Sequence, residues 1–426
     1  MTSSALRPLL PALPALLGLA LLPGTAQATN GYFAHGYGAR NQALAGAGIA
    51  FPEDALALVV NPAGITRLGA RTDLGLTVFL PKYASRIDGS ANPAANGHYE
   101  GSGKRAFFVP EFGLVRPISE QLQFGLAVFG NGGLNSEYRR NPFQNDVPPG
   151  GPVLGTAGVN LEQLFITPTV AWRLSERASV AVGLNVAYQR FEATGLGLFG
   201  SFSQSPQHLS DRGTDTDLGA GLRLGWQAEL APGWVLGATW SSKIRTRFEK
   251  YRGLFSDSGR LDVPENYGLG LAWTPRADWT VALDVQRILY SEVHAIGNSA
   301  ASLFAGQPLG SADGPGFGWR DQTIVKLGVA HRVDEQLTLR AGASHARQPV
   351  PRGETFFNIL APAVVQTHLS FGASLKTGGG EWSAFYTQAF RHTVKGQGSI
   401  PPAFGGGEAD VQLREHIVGL AYSWAW

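Results

Sequence analysis

Val180-Ala181-Val182-Gly183-Leu184-Asn185-Val186-Ala187-Tyr188-Gln189 alternates at every step, with Val, Leu and Tyr on one face and Ala, Gly and amides on the other. A period of two is the signature of a β-strand. The pattern recurs. Leu122, Phe124, Leu126 and Val128 oppose Gln123, Gly125 and Ala127, and Tyr267, Leu269, Leu271 and Trp273 oppose Gly268, Gly270 and Ala272. Trp279, Val281, Leu283 and Val285 oppose Thr280, Ala282, Asp284 and Gln286, and Val418, Leu420, Tyr422, Trp424 and Trp426 oppose Gly419, Ala421, Ser423 and Ala425.

Alternation alone also fits a soluble sandwich, but the distribution of bulk does not. The bulky face is aliphatic in mid-strand and aromatic at the ends (Trp226, Trp240, Trp273, Trp279, Trp382), as in an apolar band between aromatic girdles. The other face is too thin to pack a sandwich core and leaves room for something inside a barrel. It also carries Arg223, Asp284, Lys326 and Arg340, which suit a wet lumen and not lipid.

The links support a barrel. Fourteen segments between Thr72 and Trp426 are joined by six short connections and seven long ones, strictly interleaved. The short ones are Pro117-Ile118-Ser119-Glu120, Ser175-Glu176-Arg177, Leu230-Ala231-Pro232-Gly233, Pro275-Arg276-Ala277-Asp278, Val333-Asp334-Glu335 and Gly378-Gly379-Gly380, all with turn chemistry. The long ones cover 81–104, 139–161, 193–214, 249–264, 294–320, 348–363 and 394–412. Short periplasmic turns and long outer loops are the asymmetry of an outer-membrane barrel. The expected fold is therefore all-β, a transmembrane antiparallel β-barrel of fourteen strands with both ends of the barrel on the periplasmic side.

Composition agrees. Charged residues make up 15% of the chain and Gly contributes 56 residues, against about 25% charged in an ordinary globular protein. No Cys is present, which removes thiolate metal sites, a Cys nucleophile and a disulfide scaffold. The net charge of +2 gives no reason to expect nucleic acid as a partner. Residues 1–28 are predicted to be a signal peptide, with Arg7, an apolar run from Leu9 to Leu22, and Ala26-Gln27-Ala28 before cleavage at Thr29. Export to the outer membrane of a Gram-negative bacterium follows. Beyond that segment no run approaches about 18 apolar residues, so helical spans are excluded.

Residues 29–71 do not read as strands. They hold Gly-rich turns, a short helical stretch around Glu53 to Val60, and the turn Asn61-Pro62-Ala63-Gly64. Their apolar content (Leu44, Ile49, Phe51, Leu56, Leu58, Val59, Val60) argues against a disordered tail. A plug in the lumen is expected, leaving 72–426 for the barrel. A strand irregularity is expected at Phe129-Gly130-Asn131-Gly132-Gly133, where alternation stops, and Pro110 and Pro168 in the neighbouring strands each remove a ladder donor.

The segment Asn30-Gly31-Tyr32-Phe33-Ala34-His35-Gly36-Tyr37-Gly38, with Ala45-Gly46-Ala47-Gly48-Ile49-Ala50, Asp54 and Asn61-Pro62-Ala63, resembles the N-terminal hatch of the FadL family. These are outer-membrane transporters for long-chain fatty acids and related hydrophobic compounds. The likeness continues through the mature chain, including Trp319-Arg320-Asp321 and the terminal aromatic. It implies a monomeric, hatch-closed barrel that passes hydrophobic ligands through its wall into outer-membrane lipid, with no cofactor and no metal. Its last aromatic strand is then a signal for the barrel-assembly machinery. On this resemblance Asn61, Pro62 and Ala63 are hatch contacts facing an inward kink of the third strand. Phe129, Gly130, Asn131, Gly132 and Gly133 form that kink and the wall opening, and Leu196, Leu198, Phe199, Phe202, Leu254 and Phe255 in the third and fourth outer loops bind ligand. Phe356, Phe357, Ile359 and Leu360 are a further apolar patch, in the sixth outer loop, without a family counterpart.

The ligand implied first is a long-chain fatty acid, with aromatic hydrocarbons as the alternative. Wall exit makes physical sense, because each CH₂ released into water costs about 0.8 kcal/mol. Enzyme readings are weak. No His-Glu-x-x-His or Gly-x-Ser-x-Gly occurs, and Gly101-Ser102-Gly103-Lys104 lacks the first Gly and the Ser or Thr of a phosphate loop. A lipid hydrolase requires a long-range Ser and His pair, and a general porin requires an unplugged lumen with a ring of charge.

Overall fold

The computed structural model describes residues 30–103, 106–143 and 155–425. The predicted signal peptide, its expected cleavage site and Thr29 lie outside them, as do Lys104 and Trp426. Fifteen strands form one sheet: β1 (Arg71–Asp88), β2 (Gly97–Glu100), β3 (Phe107–Pro117), β4 (Leu122–Tyr138), β5 (Ala157–Arg173), β6 (Ala178–Thr194), β7 (Asp215–Ala231), β8 (Trp234–Ser241), β9 (Asn266–Arg276), β10 (Trp279–Ile288), β11 (Gln322–Arg332), β12 (Leu337–Ala346), β13 (Thr367–Thr377), β14 (Gly380–Val394) and β15 (Glu408–Ala425). Leaving β2 aside, consecutive strands pair antiparallel in chain order, and β15 returns to pair with β1 from Arg71↔Ala425 to Asp88↔Glu408. Closure abolishes the sheet edges that lipid cannot solvate. β2 is a short strand in the first outer loop, paired only with the outer end of β1, so the wall itself has fourteen strands.

All six short connections fall where turn chemistry places them. Several loop limits shift. β1 runs on to Asp88, β5 begins at Ala157, and β8 ends at Ser241, so the fourth outer loop starts earlier than 249. The alternation sets the wall's two faces. Val182, Leu184, Leu269, Leu283 and Val285 are exposed outward, with Trp273, Trp279 and Trp382 toward the strand ends, while Ala181, Asn185, Ala187 and Gln189 are buried inside.

Residues 30–68 occupy that inside. A helical turn, α1 (Ala39–Ala43), a second, α2 (Ala57–Val60), and a 3₁₀ turn at Pro62–Arg67 are almost entirely buried. Their contacts go round the wall. The Asp73 carboxylate on β1 accepts from the Ala55 N–H (2.9 Å), and Glu111 on β3 accepts from Gly38 (3.2 Å). Gln227 on β7 donates to the Ala50 carbonyl (3.0 Å), and Asp284 on β10 accepts from Gly48 (2.7 Å) and Ile49 (3.0 Å). Lys326 on β11 donates to the His35 carbonyl (3.1 Å), and Arg340 on β12 holds Glu53 at 2.6 Å. Arg223 on β7 donates to the Val59 carbonyl. The four inner-wall charges that alternation places in the lumen are thus each bonded to this segment. Inner-face glycines make the room: a Cβ at Gly225 would strike Asn61 and Pro62, at Gly270 Ile49, and at Gly342 Leu44.

Candidate functional site

The long outer loops fold over the open end of the barrel and enclose an apolar cavity of about 830 Å³, counted to the atom surfaces and including its mouth. Among the described residues nineteen line it, and none of these is Arg, Lys, His, Asp or Glu. Of the six loop residues singled out from the sequence, Leu196, Phe199, Leu254 and Phe255 line the cavity. Leu198 and Phe202 do not; they pack behind it, with the Phe202 ring 5.2 Å from Phe404. Phe357 and Leu360 of the sixth loop also line it, whereas Phe356 packs behind, edge-on to Phe143 and tilted against Phe404.

Sequence reasoning missed the far side of this cavity, which Tyr32, Ile296 and Trp319 build. Trp319 is fixed by donation of its indole N–H to Asn358 Oδ1 at 2.6 Å, and its ring sits 5.1 Å from Tyr290 and 6.1 Å from Tyr32. Tyr290 accepts from the Tyr32 N–H (3.2 Å) and donates to the Asn30 carbonyl (2.5 Å). Burial pushes both phenols, Tyr32 and Tyr290, well above the usual tyrosine range. Both therefore stay protonated and act as hydrogen-bond donors.

Tyr32 links the cavity to the wall. Its carbonyl accepts from the Gly133 N–H (2.9 Å), and the Asn131 carbonyl accepts from the Ala34 N–H (3.0 Å). Phe33 forms a single bridge with Gly132. The glycine-rich run is a β-bulge: the β4–β5 register jumps between Gly130 and Gly132, and Asn131 turns its amide to Gln163 (3.0 Å). Below the bulge the odd-numbered residues of β4 face inward; above it Leu134, Ser136 and Tyr138 do. One inserted residue has flipped the phase.

The wall is interrupted at the same place. β3 pairs with β4 only from Phe112↔Val128 to Pro117↔Gln123, while its outer half, from Phe107, stays on β1. Beyond Phe112↔Val128, residues 107–111 of β3 have no ladder to β4. The break is capped above by Ser102, which donates to the Glu137 carbonyl (2.8 Å), and Val109 rests against Gly130 across it. A second, smaller cavity of about 320 Å³ lies just inside, lined by Phe107 from one side of the break and by Gly133, Leu134 and Asn135 from the other. Leu134 also lines the loop cavity.

The Asn61-Pro62-Ala63 turn does not face this bulge, contrary to the arrangement that the resemblance implies. Asn61 donates to the Ile49 carbonyl (2.7 Å) and to the Trp226 carbonyl of β7 (3.0 Å), while its own Oδ1 accepts from Ala63 (3.2 Å). The Ala63 carbonyl accepts from Ser179 on β6 (3.1 Å). The reason is positional. Gly225 on the inner face of β7 opens a slot for the Asn61-Pro62 pair, and the bulge is taken by residues 32–37, Tyr37 donating to Asn131 Oδ1 at 3.0 Å.

Gly132 has no room for a side chain. A Cβ there would collide with the Tyr32 carbonyl oxygen, and its φ of 154° is one that L residues rarely adopt. Gly132→Ala is expected to detach residues 30–34 from the bulge, seen as new protease cleavage near Tyr32 in the membrane-embedded protein. Gly378→Ala, in open space at a turn, serves as the control. Equal resistance of both variants would refute the contact.

Comparison with known proteins places these features in context. Residues 20–377 match the family model described as outer membrane protein transport protein (OMPP1/FadL/TodX). Long-chain fatty acid transport proteins of Escherichia coli O157:H7 and Salmonella typhi are each 25% identical. The first match covers 57% of this chain and spans only 62% of that relative's length. Among solved structures, a Pseudomonas aeruginosa FadL homologue superposes with a TM-score of 0.71 at 16% identity, over 92% of this chain and 99% of its own. The Pseudomonas putida toluene transporter TodX gives 0.66 at 17%, over 92% and 99%. Identities this low speak for the fold alone.

Proposed function

The chain belongs to the OMPP1/FadL/TodX family of outer-membrane transport proteins, and on that premise we propose that it passively carries hydrophobic molecules across the outer membrane. Ligand enters the apolar cavity under the outer loops, moves past Leu134 into the smaller cavity, and leaves sideways between β3 and β4 into lipid. The observation that carries this reading is a lining of nineteen described residues, none with a charged side chain, adjoining a cavity that borders the broken pairing between the described residues of β3 and β4. Transfer from cavity to bilayer never exposes the ligand to periplasmic water, so the large apolar transfer term is not opposed. Tyr32 supplies a coupling. Its ring touches the loop cavity and its carbonyl holds the bulge, so ligand that displaces the ring also loosens the plug at the break. No step of this transport is enzymatic.

Relatives carry names for both fatty acid and toluene transport, and both ligand classes are admissible on hydrophobicity alone. Cells lacking their own hydrophobic channel are expected to take up labelled toluene or labelled oleate when they express this chain. Phe255→Asp places a carboxylate in the cavity wall and is expected to cut that uptake at least about tenfold, since an unpaired charge in an apolar site is costly. Uptake of neither compound, with the folded barrel present in the membrane, would sink the transport reading.

A further inference from the structure

On the lipid-facing side of three adjacent strands the wall changes from apolar to cationic at one level. The outward residues of β1 run Leu74, Leu76, Val78, Leu80 and then Lys82, and those of β15 run Leu420, Val418, His416 and then Arg414. Lys82 and Arg414 are direct cross-strand partners. On β14 the register slips between Ala389↔Glu415 and His392↔Leu413, so Phe390 and Arg391 together oppose Arg414. Three cations thus lie side by side, just past the apolar band toward the outer loops. Like charges directly opposite one another destabilise a sheet. Farther out the wall shows the usual remedy, because Arg86 stands opposite Asp410 and bonds Asp88 at 2.6 Å. Among the described residues no carboxylate stands opposite the lower row, and the buried Nε of half-buried Arg414 has no hydrogen-bond partner there.

Two recesses on the same strands fit a single amphiphile. A polar recess of about 1040 Å³, counted to the atom surfaces and including its mouth, is lined by Lys82, Arg391, Gln412 and His98. Glu100, its carboxylate among the described residues, sits 3.9 Å from His98. Toward the periplasm, an apolar recess of about 1130 Å³, counted likewise, is lined by Leu76, Val78, Trp382, Ala384, Val418 and Leu420. Ala384, the small outward residue between Trp382 and Tyr386, opens it. Val78 and Lys82 are four residues apart, roughly 13 Å along a strand, so acyl chains in the lower recess bring their head group to the cations. We propose that this face binds the phosphorylated acyl glycolipid of the outer leaflet. Its phosphates sit on Lys82, Arg391 and Arg414, and its chains fill the recess below. Phosphate oxygens match guanidinium forks and supply the negative charge that the opposed cations lack. The site depends on the barrel's place in the outer membrane and not on which ligand the channel carries.

The test measures binding of purified bisphosphorylated lipid A to the detergent-solubilised full barrel by native mass spectrometry. Lys82→Gln, Arg391→Gln and Arg414→Gln are each expected to weaken binding about fivefold, and the triple variant about a hundredfold, the usual contribution of basic residues at an anionic lipid surface. Arg86→Gln removes a cation that already has its carboxylate and should leave binding unchanged. Ala384→Phe fills the lower recess without touching a charge and should weaken binding too. Neither dephosphorylated lipid A nor inorganic phosphate should displace the bound lipid, since each lacks one half of what the site reads. All these side chains face outward, and heat-modifiable migration reports the folded barrel for each variant. Equal binding by the wild type and the triple variant would overturn the inference. Displacement by inorganic phosphate would make the row a site for free anions, and displacement by oleate would make it a capture surface for transported ligand; either overturns the lipid assignment. Uptake of toluene or oleate is measured separately, and its failure would leave this site standing.

Discussion

Deletion of residues 30–70 is expected to turn a closed barrel into an ion-conducting pore. The fourteen-strand wall closes on itself through β1 and β15 without help from this segment, so the barrel's hydrogen-bonded frame survives its loss. What changes is the lumen. Inner-face glycines that now accommodate Leu44, Ile49 and Asn61 become empty space. Arg223, Asp284, Lys326 and Arg340, which now bond the segment, are left facing that space and draw in water. A fourteen-strand wall is much wider than the eight-strand barrels that side chains fill and approaches the sixteen-strand barrels that hold an aqueous channel. In planar bilayers the deleted protein should show discrete conductance steps where the intact protein gives a flat trace. A flat trace from a heat-modifiable, folded deletion variant would mean that the outer loops, not the segment, seal the barrel.

The wall was readable from sequence because lipid imposes one rule on every strand: large apolar residues out, small or polar ones in. Val180 to Gln189 and Tyr267 to Trp273 obey it so regularly that their faces follow from counting by two. The bulge was readable for the complementary reason, since Gly130 to Gly133 break the count. The charges inside were readable as luminal, but not their partners. Asp284 bonds Gly48 across 236 residues and Arg340 bonds Glu53 across 287, and no local pattern encodes such distances. The loop cavity was half legible: Leu196, Phe199, Leu254 and Phe255 stand out as apolar residues in polar loops, whereas Tyr32 and Trp319 are placed only by how the plug and a distant loop meet. The contact of Asn61-Pro62-Ala63 went astray for the same reason, because the Gly225 slot that receives it lies on another strand. The inward parity of Gly419, Ala421 and Ser423, continued backward along β15, puts Glu415 inside as well.

Glu53→Ala is expected to be the most destabilising single substitution in the plug. Its carboxylate takes three contacts from two Arg340 donors, Nε at 2.8 and 3.1 Å and Nη2 at 2.6 Å, and the Arg340 side chain is only 3% exposed. Two-point contact between a guanidinium and a carboxylate is the strong form of the interaction. Removing one partner of a buried pair leaves the other charged and unpaired, at a cost of about 3–5 kcal/mol. The neighbouring acceptors do not absorb it. Ser374 already bonds Arg340 Nη1 at 2.7 Å, and Glu381 is engaged by Arg40 at 3.1 Å. The loss should also spread, because the Glu53 carbonyl accepts from Arg40 (2.5 Å) and Arg71 (3.0 Å), tying the same turn to β1. The expected readout is a lower temperature for loss of the compact band in Glu53→Ala, accompanied by partial ion leak as the plug loosens beside β12. Glu53→Leu combined with Arg340→Met removes both charges and keeps the volume, and should recover most of the stability. If the double variant is as unstable as Glu53→Ala alone, the cost lies in lost packing at the turn and not in an orphaned guanidinium.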